Sequence, residues 1–210
     1  MNEWLAWILI LLCSYTIGVI PFGWVVARIK NTDIISHGSG KIGFTNVWRI
    51  LGLKYALPIL VLDTAKGIFV IWLATIVEDK YSCCSYLKLI AVLLVLAGHS
   101  WSPILRIYTG KWHGGRSVAT GMGVALVICW QCLLIGLSGL VLTLVTGYMS
   151  LGVLVSIFLV CCLAALYSLQ GSIPSQDLLV MCVAAVFLYL RHISSIRRLL
   201  SGAELKIFRK

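Results

Sequence analysis

The sequence predicts an all-α integral membrane protein of about seven transmembrane helices, with the N-terminus outside and the C-terminus in the cytoplasm. Three observations carry this. Of 210 residues, 60% are apolar and only 11% charged, with a mean hydropathy of +1.01, which leaves too little polar surface to coat a soluble globule. Charges and Gly/Pro clusters cut the apolar sequence into seven pieces near the length of a bilayer crossing, roughly 20 residues. Finally, the bases alternate from one connection to the next.

The first piece, 4–27, has no basic segment before it and is followed by further spans, so it reads as a retained helix rather than a cleaved signal. The second, 57–77, carries Asp63 and Lys66 three residues apart on one helix face. Charges inside a span are usually paired, so an intramembrane ion pair is expected. The third is 86–106. The fourth, VATGMGVALVIC over 118–129, is too short for a full crossing and reads as a half-helix packed inside the protein. The remaining three are 131–147, 150–168 and 177–190. No repeat, low-complexity tract or long linker divides the chain, so 1–210 is expected to form a single domain.

The net charge of +10 is explained by its distribution rather than by a nucleic-acid partner. Arg28, Lys30, Lys41, Arg49 and Lys54 face one acid, Asp33, between the first two pieces; Arg106, Lys111 and Arg116 follow the third with no acid; the tail carries Arg191, Arg197, Arg198, Lys206, Arg209 and Lys210 against Glu204. The alternate connections hold Glu3, Glu78, Asp79 and Asp177. This is the positive-inside pattern, and its orientation requires an odd number of spans. The basic tail would also lie against an anionic leaflet.

The eight cysteines form no disulfide framework or metal site. Cys83–Cys84 and Cys161–Cys162 are vicinal, and Cys129-Trp-Gln-Cys132 lacks a second ligand pair, so the cysteines read as small lipid-compatible hydrophobes. No metal is expected.

The unusual stretches fall on the cytoplasmic side. HGSGKIGFTN, 37–46, places Gly38-Ser39-Gly40-Lys41 and Thr45-Asn46 ahead of Arg49; a second loop reads Gly114-Gly115-Arg116. Glycines free backbone donors to converge on an anion, serine hydroxyls add donors, and arginine grips two phosphate oxygens at once. An ordinary flexible connection is the plainer alternative for either loop alone. His192 sits among arginines and could donate to a phosphate or hydroxyl; His99, at a span edge, reads as structural. There is no Gly-x-Ser-x-Gly elbow, no His-Glu-x-x-His, no Walker loop and no His-x-x-x-x-Asp pair.

In order along the chain, IPFGWVVARI, GSGKIGFTNVWRILG, LDTAKG, AGHSWSP, GGRSVATGMG, YMSLG and RHISSIRRLLSGAE resemble the bacterial acyl-phosphate-dependent glycerol-3-phosphate acyltransferases, the PlsY family. The resemblance implies seven helices, N-out and C-in, in the bacterial inner membrane, with the active site at the cytoplasmic face. It implies transfer of a fatty acyl group from acyl phosphate to the 1-hydroxyl of sn-glycerol 3-phosphate, giving lysophosphatidate and phosphate. No cofactor, metal, acyl-CoA or dedicated protein base is implied, an acceptor phosphate oxygen taking the proton. An acyl-phosphate-producing enzyme would be a partner. Carried over by position, Ser39, Gly40 and Arg49 match the first phosphate loop, Gly114 and Gly115 the second, Ser150 the third and His192 the C-terminal motif. His192, Ser150 and Ser195 are the catalytic candidates. Arg116 joins the phosphate set, and Gly38, Lys41, Thr45 and Asn46 are further substrate-binding candidates.

The departures are specific. Lys41 stands for the family asparagine, Phe44 for alanine, and Arg116-Ser117 for Lys-Gly. Ser194 and Ser195 stand for Glu and Asn, and Gly147 for a basic residue. They keep open two alternatives: a diverged paralogue with another acceptor or no activity, and a small transporter of anions.

Overall fold

A computed structural model describes residues 2–81 and 86–208; the Cys83–Cys84 pair, Arg209 and Lys210 lie outside them. The described residues form ten helices: α1 Glu3–Val19, α2 Phe22–Ile29, α3 Phe44–Leu51, α4 Leu53–Tyr81, α5 Leu87–Ser100, α6 Pro103–Thr109, α7 Val118–Ile128, α8 Cys132–Thr146, α9 Met149–Leu169 and α10 Ser175–Leu200. Four stretches are long and apolar enough to cross a bilayer: Glu3–Ile29, Leu53–Tyr81, Met149–Leu169 and Ser175–Leu200. Helices α5, α7 and α8 are apolar but shorter. Exposed leucines and valines such as Leu12, Val61 and Val145 cover the outside, as expected for a surface solvated by lipid.

The expected pieces appear with three differences. The first is broken at Pro21, whose missing N–H interrupts the helical ladder between α1 and α2. The third stops at Ser100 instead of running to 106, because Pro103 starts the separate helix α6 and Ser102 N–H donates to His113 O at 3.1 Å. The last continues from the expected 190 to Leu200, since no helix breaker intervenes before Gly202. The fourth is short, as expected: α7 has 11 residues, about 16 Å of helix.

Small residues let the helices approach. A Cβ on Gly18 of α1 would strike Val95 O of α5, and one on Gly98 would strike Tyr15 O; Gly67 and Gly123 play the same reciprocal part between α4 and α7, and Gly139 and Gly152 between α8 and α9. With lipid on both sides there is no hydrophobic drive between spans, so such close van der Waals packing holds them together.

The predicted ion pair is present. Lys66 Nζ lies 2.9 Å from Asp63 Oδ1, both side chains 3% exposed. The same ammonium donates to Ile20 O at 2.5 Å and sits 4.6 Å from the Phe22 ring centre. It thus satisfies a carbonyl released by the Pro21 break, tying α4 to the α1–α2 elbow. His99, buried as a structural histidine should be, places Nδ1 3.5 Å from Asp63 Oδ1.

Candidate active site

Loop 30–43 is folded around Asn46, which is 1% exposed. Its Nδ2 donates to Ile34 O (3.2 Å) and His37 O (3.1 Å), and its Oδ1 accepts Ser39 N–H (2.9 Å) and Arg49 Nη1–H (3.3 Å). Gly38 and Gly40 hold φ of 60° and 67°, the left-handed turn that glycine adopts without strain. Gly40 N–H donates to His37 O. The backbone donors of Ser39 and Gly40 are therefore spent inside the loop. This differs from the expected cradle of free N–H groups, and the glycines serve the turn instead.

The second loop shows the same economy. Gly115 N–H donates to His99 O at 3.0 Å, and a Cβ on Gly114 or Gly115 would run into Ser100 or the His99 ring. Glycine is required there for close approach to α5. Ser117, standing where the family has glycine, holds φ 62°. Its Oγ donates to Leu96 O and pairs with Ser100 Oγ, each at 2.8 Å, bonds that offset a left-handed conformation costing about 1–2 kcal/mol.

Between these loops and α7–α10 lies one cavity of about 680 Å³. Of the predicted residues, Ser39, Lys41, Thr45, Asn46, Arg49, Arg116, Ser150 and His192 line it. Gly38, Gly40, Gly114, Gly115 and Ser195 stand behind the wall. Arg116 is half-buried, and its Nε has no partner among the described residues. Burial lowers its pKa to about 10, opposed by Glu204 and reinforced by Arg198, Arg49 and Arg191. It stays charged at neutral pH. Burial, then Arg191, Arg116 and Arg198, likewise push the Lys41 ammonium below the ordinary lysine range. Lys41, Arg49, Arg116, Arg191 and Arg198 thus share this end with Glu204, while Asp63, the other lining carboxylate, is paired with Lys66; the excess of cations favours a bound polyanion. Ser150 Oγ is buried with no partner among the described residues. His192 is 2% exposed; its Nδ1–H donates to Leu188 O at 2.8 Å, which leaves Nε2 as the acceptor nitrogen.

Several functional contacts escaped the sequence. Glu204, with a side chain 6% exposed, accepts from Arg198 Nε at 2.7 Å and from Ser195 Oγ at 3.3 Å. Ser195 also accepts from Arg198 Nη2 at 2.9 Å, so its hydroxyl positions the tail. Arg49 Nε and Nη2 donate to Lys206 O (3.2 Å) and Leu205 O (3.4 Å), and Ile207 N–H donates to Gly147 O. The tail is a strap over the site rather than a free basic segment. It brings Lys206 Nζ to 5.4 Å from the Tyr148 ring centre, a cation beside the junction where the sequence has only Gly147. Arg191 Nη2 donates to Gly115 O at 3.4 Å and Ser100 O at 3.3 Å, bracing the second loop. The one clue was a lone acid in a tail of bases.

Away from the loops the lining turns apolar, with Leu137, Leu140, Val153, Ile157 and Ala185 among its walls. A cavity cationic at one end and aliphatic along its length accommodates a phosphate attached to a long alkyl chain.

Comparison with known proteins agrees with this geometry. The family model for glycerol-3-phosphate acyltransferase matches residues 8–202. The glycerol-3-phosphate acyltransferase of Halalkalibacterium halodurans is 34% identical over 208 residues, spanning 98% of this chain and 97% of the relative. That of Desulforamulus reducens is 37% identical over 208 residues, spanning 97% and 96%. The crystal structure of PlsY, an integral membrane glycerol 3-phosphate acyltransferase, in its glycerol 3-phosphate form superposes with a TM-score of 0.80 at 28% identity, covering 95% of this chain and 94% of that one. Its lysophosphatidic acid form gives 0.78. By sequence along nearly its whole length and by fold, this chain belongs to the glycerol-3-phosphate acyltransferase family.

Proposed function

We propose that the protein transfers a fatty acyl group from acyl phosphate to the 1-hydroxyl of sn-glycerol 3-phosphate, releasing lysophosphatidate and inorganic phosphate. The observation that carries the reading is Arg116, a half-buried guanidinium whose Nε has no partner among the described residues, at the cationic end of a cavity that is mostly apolar along its length. Both substrates are phosphates and only one carries a long chain, which fits that asymmetry. The PlsY neighbour's glycerol 3-phosphate and lysophosphatidic acid forms name an acceptor and a product of such a transfer.

In this reading the 1-hydroxyl attacks the acyl carbonyl, a new C–O ester bond forms, the C–O bond to phosphate breaks, and the hydroxyl proton passes to a phosphate oxygen of the acceptor. The protein contributes positioning and charge. Arg116 and Lys41 neutralise the phosphates. Ser39, Thr45 and Ser150 donate hydroxyls, Arg49 bridges the first loop to the strap, and His192 Nε2 orients the acceptor hydroxyl. Gly38, Gly40, Gly114, Gly115, Asn46 and Ser195 hold the loops in shape. We place the chain as one domain, 1–210, in the bacterial inner membrane. It crosses seven times with the N-terminus outside and the site cytoplasmic, where an acyl-phosphate-producing enzyme supplies the donor. The test is phosphate release by purified protein given palmitoyl phosphate with and without glycerol 3-phosphate: acceptor-dependent release supports the reading, and release to water alone opposes it.

A further inference from the structure

We infer that the far end of the cavity, closed by Cys132, Cys161 and Met181 and kept open one turn earlier by Gly136, gauges the length of the donor's acyl chain. This rests on the proposed donor. Three helices measure the depth independently. Thr143 to Cys132 along α8, Ser150 to Cys161 along α9 and His192 to Met181 along α10 all line the cavity, and at the helical rise each spans about 16 Å; along α7 the lining runs from Val118 to Leu126, about 12 Å. The longer span is roughly half of a ~30 Å hydrocarbon core, the depth that a lipid chain occupies in one leaflet.

The end is a packed wall. Cys132 is 4% and Met181 5% exposed, clustered with Cys129, Ala164 and Ile173. Ala125 and Ile128 of α7, Cys132 of α8, Val160 and Ala164 of α9 and Leu178 of α10 pack in this same cluster, so the four helices meet there. A separate, smaller cavity of about 340 Å³, lined by Leu126, Cys129 and Ile173, lies on the other side of this cluster, so the cluster is the partition that sets the depth.

Gly136 supplies the second observation. Helix α8 holds two cavity-lining glycines. A Cβ on Gly139 would run into Ser156 and Gly152, so helix packing demands glycine there; a Cβ on Gly136 would meet no heavy atom within 4 Å. Glycine in a helix interior is destabilising against alanine, and packing gives no return for it at 136. What its missing side chain leaves is lumen. Gly136 sits four residues from Cys132, about 6 Å along the helix, so a side chain there would remove roughly a third of the depth.

The experiment uses the full chain in lipid nanodiscs with saturated acyl phosphates of eight to twenty carbons and fixed glycerol 3-phosphate. Gly136→Leu should raise the kcat/KM ratio of the ten-carbon to the sixteen-carbon donor at least about tenfold, the order set by a few methylenes that no longer fit. Met181→Ala should shift the optimum toward longer chains. Leu134→Ala, on a lipid-facing position 61% exposed, should leave the ratio unchanged. Binding of n-alkyl phosphonates, read by ligand-induced thermal stabilisation, gives the same profile without turnover. An unaltered length profile in both Gly136→Leu and Met181→Ala overturns the gauge. A profile that moves in binding while no acyl transfer occurs in the parent protein supports the gauge and overturns the proposed reaction instead.

Discussion

Replacing Arg116 by alanine separates binding chemistry from fold stability. The guanidinium is half-buried among Arg49, Arg191 and Arg198 and carries an Nε without a partner among the described residues. A phosphate placed against it gains a charge-assisted hydrogen bond of about 1.5–3 kcal/mol, plus part of a Coulomb term of about 4 kcal/mol for charges 4 Å apart in a partly buried setting. Neighbouring cations recover some of this, so the net loss of transition-state stabilisation is about 2–4 kcal/mol, roughly 30- to 1000-fold in kcat/KM. The free protein should respond oppositely: removing one cation from a crowded cluster relieves repulsion, so thermal stability without substrate should hold or rise. Arg116→Lys keeps the charge, loses the Nε donor and should fall between. Ser117→Gly gives up two 2.8 Å hydrogen bonds while relieving a left-handed serine, a near balance, and the double variant should exceed the sum of the single effects because both residues shape one loop. The assay is initial rate against glycerol 3-phosphate for the parent and all four variants, alongside thermal unfolding. Near-parental efficiency in Arg116→Ala would refute the reasoning and leave Arg116 as a topology charge.

Raising pH through about 10, where Arg116 titrates, should raise KM for glycerol 3-phosphate. Because the folded-state pKa lies below the unfolded one, loss of that proton favours the folded form, so Arg116 contributes no fall in substrate-free Tm over the same window; the paired observables are KM and Tm from pH 8 to 10.5. Asp63→Asn, which strands a lysine 3% exposed, should cost about 3–5 kcal/mol and lower Tm by roughly 10 °C, with Asp63→Asn/Lys66→Met recovering part of it; an unchanged Tm in the single variant would remove the ion pair's structural role. In a cysteine-free background, a cysteine at exposed Ser172 should react with an impermeant thiol reagent applied outside intact cells, whereas cysteines at exposed His37 or Lys111 should not. The reverse pattern contradicts the N-out orientation.

Much of this architecture was readable in the sequence because bilayer physics simplifies it. The apolar pieces, the short fourth helix and the Asp63–Lys66 pair follow from hydropathy, length and the cost of an unpaired buried charge. The differences arise where local chemistry overrides hydropathy. Pro21 and Pro103 break apolar runs that an average cannot see as broken, and the Arg191–Leu200 segment stays helical although its charges read as a tail. At the site, residue types were legible but their partners were not. Gly-Ser-Gly looks the same whether its N–H groups face a ligand or, as here, Asn46 Oδ1 and His37 O. Contacts such as Arg49 with the 205–206 carbonyls, more than 150 residues apart, leave no local pattern. Glu204 acquires its place only once the strap has folded over α3.

The central claim is tested most directly by product analysis on the purified protein. Given acyl phosphate and sn-glycerol 3-phosphate alone, the account predicts 1-acyl-sn-glycerol 3-phosphate formed in equal amount to released phosphate, no product when acyl-CoA or acyl-carrier protein replaces the donor, and a rate strongly reduced in Arg116→Ala. Acylation from acyl-CoA under those conditions, or phosphate release without the acylated product, would contradict it.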